Sequence, residues 1–276
     1  IGKYNNFSLI LVSMYRIVYL FICIGLFASS CKKKGCTDPN AENYNPNATQ
    51  DNGCCIYAPE QVLKINITPI YGSDALYLDS IYMSTEGYQV KFSKISFYLS
   101  ALKNGTDTLQ NAALYDFGYK GIELLETAGD FSKFNNLDGL IGLDSITNHS
   151  DPSGFDNTSD LNISNAGLMH WSWNTGYIFL SIEGKVDTLG SGVFNHNFSF
   201  HIGTDAFKDH FDFTNLNWTA SDENEHSLNW SLDLLAFLNG PSNPIDLKSE
   251  FLTHTASSQL ILAEKVAVNF KNAFIP

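Results

Sequence analysis

The sequence has no cysteine after Cys55, although the chain is 276 residues long. Most of the protein therefore contains no disulfide and offers no thiolate to a metal ion. It also lacks a Gly-x-Ser-x-Gly motif and a phosphate-binding glycine loop, so the hydrolase and nucleotide-binding classes have no support. We do not expect an enzyme.

Basic residues are scarce as well. The chain has 16 Lys and Arg against 29 Asp and Glu, which gives a formal net charge of −13. A charge of this sign favours solubility and repels anionic surfaces. A nucleic-acid partner is therefore not expected.

The apolar run over residues 17–27 is shorter than the ~20 residues that a membrane-spanning helix needs. A basic flank precedes the run and small residues follow it, so residues 1–30 are predicted to be a signal peptide. Cys31 comes next and resembles the lipidated cysteine of a bacterial lipobox. The expected location is the bacterial cell envelope, on the periplasmic or surface face of a membrane, with membrane contact only through the lipid.

Residues 31–58 form a predicted linker and small module, rich in Asn, Asp, Pro and Gly and nearly empty of large aliphatic residues. They resemble a repeat of secreted and surface bacterial proteins, GCTDP-x-A-x-NYNP-x-AT-x-DDGSC. That resemblance implies a Cys36–Cys55 disulfide in an oxidising compartment. Cys54 is then a spare thiol, unless it is the true partner of Cys36.

The same module carries four side chains with oxygen atoms that calcium could bind. Ordinary Asx turns explain these residues at least as well. The four residues are Asp38, Asn40, Asn45 and Asp51.

From residue 61 to residue 276, alternating apolar and polar residues indicate strands separated by Gly- and Asn-containing turns. We expect a mainly β domain, an antiparallel β-sandwich with long loops and a C-terminal helix. The alternating segments are 62–68, 89–99, 194–202 and 227–234.

Two long loops are expected at about 144–166 and 203–226, where loops of this length are usually functional. A helix is predicted from Ala256 to Ala273, because apolar residues recur along one stripe of it. Another helical turn is predicted at Leu124–Glu126. The segment around Trp171 and Trp173 is predicted to be one strand with both indoles on one face.

Three motifs occur in order along this domain. The first is Asn-His-Ser-Asp at 148–151, the second is the Trp-x-Trp-x-x-Gly-Tyr-x-Phe-Leu run at 171–180, and the third is Phe-His-Ile-Gly at 200–203. The chain here resembles the MbnP-like family of copper-binding proteins, whose relatives are of the MopE and CorA type. The resemblance spans about residues 61–274.

The resemblance implies a copper ion held by histidines and by kynurenine, an oxidised tryptophan. His149 and His201 match the family histidines, and either Trp171 or Trp173 matches the modified residue. His170 stands where Phe or Tyr is usual, and it either points away or adds a ligand. Imidazole suits copper, whereas intact indole carries no free lone pair.

Asp151 is expected to orient the His149 ring without itself binding the metal. The resemblance also implies a partner that oxidises the tryptophan, a MauG-like dihaem cytochrome c peroxidase. The function expected is copper capture, storage or delivery. The alternatives are a surface lipoprotein that stacks a glycan or peptide on its aromatic residues, and a purely structural surface protein. The aromatic residues of that first alternative are Trp171, Trp173, Tyr177 and Trp218.

Overall fold

The computed structural model describes residues 32–172, 176–240 and 243–276. The chain divides into two compact units at Pro59/Glu60. The predicted signal peptide, Cys31 and Trp173 lie outside the described residues. None of the helices that are described is both long and apolar enough to cross a membrane.

The first unit is organised by a disulfide and a short parallel strand pair. Cys36 and Cys55 form the disulfide, and Cys54 is exposed outside it. The paired strands are β1 (Lys34–Gly35) and β2 (Gln50–Asp51).

The second unit is mainly β, as predicted. Its strands are β3 (Val62–Tyr71), β4 (Asp74–Ala75), β5 (Tyr82–Met83), β6 (Gln89–Asn104), β7 (Asp107–Asp116), β8 (Glu123–Ala128), β9 (Leu137–Ile141), β10 (His170–Ser172), β11 (Gly176–Asp187), β12 (His196–Gly203), β13 (Asp209–Phe213), β14 (Thr219–Asp222), β15 (Glu225–Asp233), β16 (Leu252–Thr253) and β17 (Phe274–Ile275). Its helices are α1 (Phe117–Lys120), α2 (Ser145–Asn148), α3 (Ile163–Ala166), α4 (Leu234–Asn239) and α5 (Leu260–Asn272).

Two sheets form a sandwich. Within the described residues the larger sheet has the order β13-β9-β6-β11-β12-β16, with β5 and β7 also on β6 and β10 on β11. The smaller sheet has the order β14-β15-β3-β4, with β17 and β8 at its sides. Most neighbours are antiparallel, but β15 runs parallel to β3 and β16 runs parallel to β12.

The core lies between the sheets because inward side chains alternate along the strands. On β3, Leu63, Ile65 and Ile67 are fully buried. The predicted C-terminal helix is confirmed as α5, whose Val266 and Phe270 close one side of this core. These buried side chains exclude water from one face of the larger sheet.

The opposite face of the larger sheet is its outer face, which bears Ser181, Glu183 and His201. One end of it is covered by the segment 144–172, which buries Tyr98 and Phe179 beneath it. The segment predicted to be a loop at 144–166 therefore contains two short helices, α2 and α3, and packs on the larger sheet.

Two predictions of local structure are wrong. Leu124–Glu126 lies in β8 rather than in a helical turn, because both leucines are buried by pairing with β3. The predicted loop at 203–226 contains β13 and β14, which are strands that depend on pairing with β9 and β15.

Candidate metal centre

The tryptophan motif is a hairpin rather than the single strand predicted. β10 and β11 pair in antiparallel fashion, with His170 opposite Tyr177 and Ser172 opposite Gly176. Gly176 has a φ of +76°, which an L side chain rarely adopts. The chain therefore reverses direction between Trp171 and the long strand that follows it.

Trp171 lies against the end of β12. A Cβ atom added to Gly203 would be 2.5 Å from Cζ3 of the indole and 2.8 Å from the carbonyl oxygen of Tyr177. Such a contact is too close for any side chain. Glycine at 203 thus lets the Trp171 ring rest directly on the backbone of the Phe-His-Ile-Gly strand.

His149 is brought to the same stretch of chain from α2. It caps the C-terminus of this helix, and its Nε2 lies 3.5 Å from Oδ2 of Asp205. Ser145 Oγ also donates to that carboxylate. This hydrogen bond lowers the pKa of the Asp205 carboxyl, and contacts with Asn148 and His149 act in the same direction.

Asn148, in the first motif, contacts the second motif and the turn that follows the third. Its Oδ1 accepts the backbone N–H of Tyr177 at 2.9 Å, and its Nδ2 donates to Asp205 Oδ1 at 2.9 Å. Its side chain is buried, with 1% of the residue exposed. One buried amide therefore fixes α2, the hairpin and the turn after β12 relative to one another.

His201 lies two residues before Gly203, on the same outer face of β12. Its Nε2 is 2.9 Å from Oε1 of Glu183 and 3.2 Å from Oγ of Ser199. Lys94 Nζ is 3.9 Å from the same Glu183 oxygen. The hydrogen bond with His201 holds the pKa of the Glu183 carboxyl below its ordinary value of 4.5.

A further histidine, which the sequence motifs do not mark, stacks on His201. The rings of His201 and His254 are nearly parallel, at 11°, with centroids 4.8 Å apart. Burial lowers the pKa of His254, with a further contribution from His201. Both effects favour the neutral imidazole, which is the form that binds metals.

The described contact of the His170 ring is with Tyr177. His170 precedes Trp171 on β10, where the pairing with β11 is irregular between His170 and Ser172. Its ring packs edge-on against Tyr177 with centroids 4.8 Å apart, and burial lowers the pKa of His170.

The carboxylates beside the two histidines differ from the one that the sequence indicated. Asp151 Oδ1 accepts hydrogen bonds from the N–H and the Oγ–H of Ser153. Asp151 is thus the N-cap of a 3₁₀ turn. Asp205 and Glu183 hold the positions next to His149 and His201. Glu183 lies next to His201 because it pairs across the strands with Ser199. The spacing of residues in the sequence does not predict this contact.

The stretch from His201 to Asp205 carries one imidazole and contacts His149 and Trp171, and imidazole nitrogen is a donor that suits copper. Among the residues described, no three His, Cys, Asp or Glu side chains converge closely enough to hold a metal ion. A complete set of ligands would therefore have to include a modified tryptophan or a side chain that moves.

In the first unit, side-chain oxygens accept hydrogen bonds from backbone N–H groups in turns. Asp38, Asn45 and Asp51 each accept the backbone N–H of the residue two positions later. This is the Asx-turn arrangement. These contacts give three of the four oxygen-bearing side chains a structural role, and the calcium site stays a prediction.

Of the four residues expected to form an aromatic platform, Trp173 lies outside the described residues and Tyr177 is not open to stacking. Tyr177 is fully buried beneath the segment 144–172. Trp218 is half-buried and donates its Nε1–H to the carbonyl oxygen of Phe134. Stacking of a glycan on Tyr177 is excluded by this burial.

The family relationship follows from comparison with known proteins. The fold is similar to that of MbnP from Methylosinus trichosporium, with 14% sequence identity, 68% of this chain and 80% of that chain covered, and a TM-score of 0.46. No functionally curated protein matches the sequence. The sequence model of the MbnP family matches residues 60–258, well over half of the chain. The chain belongs to the MbnP family.

Proposed function

We propose that this chain is a non-enzymatic, lipid-anchored protein of the bacterial cell envelope that binds copper for capture, storage or delivery. Membership of the MbnP family supports the association with copper. The observation that carries the proposal is that Trp171 packs on Gly203 and His149 lies beside Asp205, so that both contact the short stretch of chain that begins at His201.

The carboxylates beside the histidines support a choice of ligand atoms in this proposal. Nε2 of His201 faces Glu183, which leaves Nδ1 as the nitrogen for copper. Nε2 of His149 likewise faces Asp205. Copper is the cargo in this proposal, and the carboxylates orient the imidazoles that would hold it.

The third ligand in this proposal is the aryl amine of a kynurenine made from Trp171 or Trp173. A MauG-like dihaem peroxidase would use two molecules of hydrogen peroxide to break the indole C2–C3 bond. Two oxygen atoms are added and two waters are released. Hydrolysis with one water then releases formate and leaves the free amine, which has a lone pair that intact indole lacks.

Copper titration of the intact mature protein tests this proposal. We expect one tight site per chain, weakened in both His149→Ala and His201→Ala. His210→Ala is the matched control, because His210 is an exposed histidine on β13 at the far edge of the same sheet. Unchanged affinity in both test variants would overturn the assignment.

The modification has its own readout. Protein from the native host should show an intact mass in which one tryptophan has gained an oxygen and lost a carbon. Peptide mapping then distinguishes Trp171 from Trp173. An unmodified mass in protein that binds copper tightly would remove kynurenine from the proposal and leave the histidines.

A further inference from the structure

His254 is held next to His201 by the strand arrangement. β16 runs parallel to β12, with Leu252 opposite Ser199 and Thr253 opposite Phe200. Phe200 and Thr253 are both fully buried on the inner face. His201 follows Phe200 on β12 and His254 follows the last residue of β16, and their rings stack side by side.

The chain around His254 is also fixed. The backbone N–H of His254 donates to Oε1 of Gln259 at 2.8 Å, and the N–H of Thr255 donates to Oγ1 of Thr253 at 3.3 Å. Thr255 has a φ of +57°. The backbone at residues 254 and 255 is therefore held by two hydrogen bonds, while His254 as a residue is exposed to solvent.

The relative exposure of the two rings gives them different access to an incoming ion. The His201 side chain is only 18% exposed, and the stacked ring of His254 lies on it. We propose that His254 is an additional copper ligand, which shares with His201 the ion assigned to this site and is exposed on its solvent side. This inference rests on the proposed function.

The stacked rings do not point at a common centre, so metal binding requires the His254 ring to turn. An exposed side chain can change rotamer without moving the strand beneath it. The two imidazoles, of which His201 is oriented by Glu183, then provide nitrogen ligands of the kind that suits copper. The two histidines can therefore share the ion once the His254 side chain rotates.

The test is pulsed electron paramagnetic resonance of the intact mature protein loaded with one equivalent of Cu(II), combined with titration. His254→Phe keeps a flat ring to stack on His201 but removes the nitrogen ligands. We expect one fewer coordinated histidine in this variant and at least about tenfold weaker binding, the lower end of what loss of an outer partner costs at metal sites. His210→Phe is the matched control and should leave both readouts unchanged.

The outcomes separate the two claims. If the unchanged protein shows no tight copper site, the proposed function fails. If it binds copper tightly, and His254→Phe has the same histidine count and affinity, the role of His254 is overturned while the site stands. Circular dichroism of each variant confirms that the β-domain is folded.

Discussion

The side-chain amide of Asn148 donates a hydrogen bond to the carboxylate of Asp205, with Nδ2 and Oδ1 2.9 Å apart. Asp205 comes two residues after the Phe-His-Ile-Gly motif and 57 positions after Asn148. The same amide accepts the N–H of Tyr177 from the hairpin. One buried side chain therefore links α2, the hairpin and the turn after β12.

Replacement of Asn148 by Ala should lower the free energy of unfolding by about 1–3 kcal/mol, because it leaves a buried backbone N–H without a partner. Urea denaturation measures this loss. Asn111→Ala is the control, since Asn111 is an exposed asparagine on β7 of the same domain. Equal losses in the two variants would show that Asn148 does not connect the motifs.

Gly203→Ala should displace the indole of Trp171. The added Cβ would lie 2.5 Å from the ring, and overpacking of this kind costs about 1–3 kcal/mol. Tryptophan fluorescence should shift as the ring becomes exposed, and unfolding should occur at a lower urea concentration. Gly154→Ala is the matched control, because a Cβ there meets nothing within 4 Å. Identical spectra for Gly203→Ala and the unchanged protein would contradict the described packing.

The Glu183–His201 pair should make stability depend on pH in the acid range. Because the pKa of Glu183 is lowered in the folded state, its contribution to stability is present above 4.5 and is lost as the pH falls through the lowered pKa. Glu183→Gln should therefore flatten the decline of the free energy of unfolding below pH 4.5. Glu264→Gln, at an exposed position on α5, should keep the slope of the unchanged protein. The prediction is wrong if the free energy of unfolding depends on pH in the same way in the unchanged protein and in both variants.

The disulfide should govern the first unit alone. It closes a loop between residues 19 positions apart, which stabilises by about 3 kcal/mol in the chain-entropy model. In a Cys36→Ser/Cys55→Ser double variant we expect rapid proteolysis within residues 32–59 and unchanged unfolding of the β-domain. Cys54→Ser should resist the protease like the unchanged protein. Resistance of the double variant as well would mean that the module is held by its turns.

Strands with clear alternation were predictable because each of them buries one face. β3, β6, β12 and β15 were found close to the predicted positions, and α5 was found from its apolar stripe. β13 and β8 were missed for the opposite reason. β13 lies at the sheet edge and depends on β9, while adjacent leucines in β8 are both buried and break the alternation.

The candidate site was only partly predictable. The motifs indicated His149, His201 and Trp171, but they gave no signal for Glu183, Asp205 or His254. These three are brought in by cross-strand register and by a turn, both of which arise from pairing between distant segments.

The sequence by itself determined the β class, the separate cysteine-containing module, the acidic charge and the family. These properties depend on composition, on local periodicity and on motif order, all of which can be observed without coordinates. Only the tertiary structure decided which carboxylate lies beside each histidine, that the tryptophan motif is a hairpin, and that a second imidazole covers His201. The physical reason is that such contacts depend on strand register, where a shift of one residue sends every side chain to the other face.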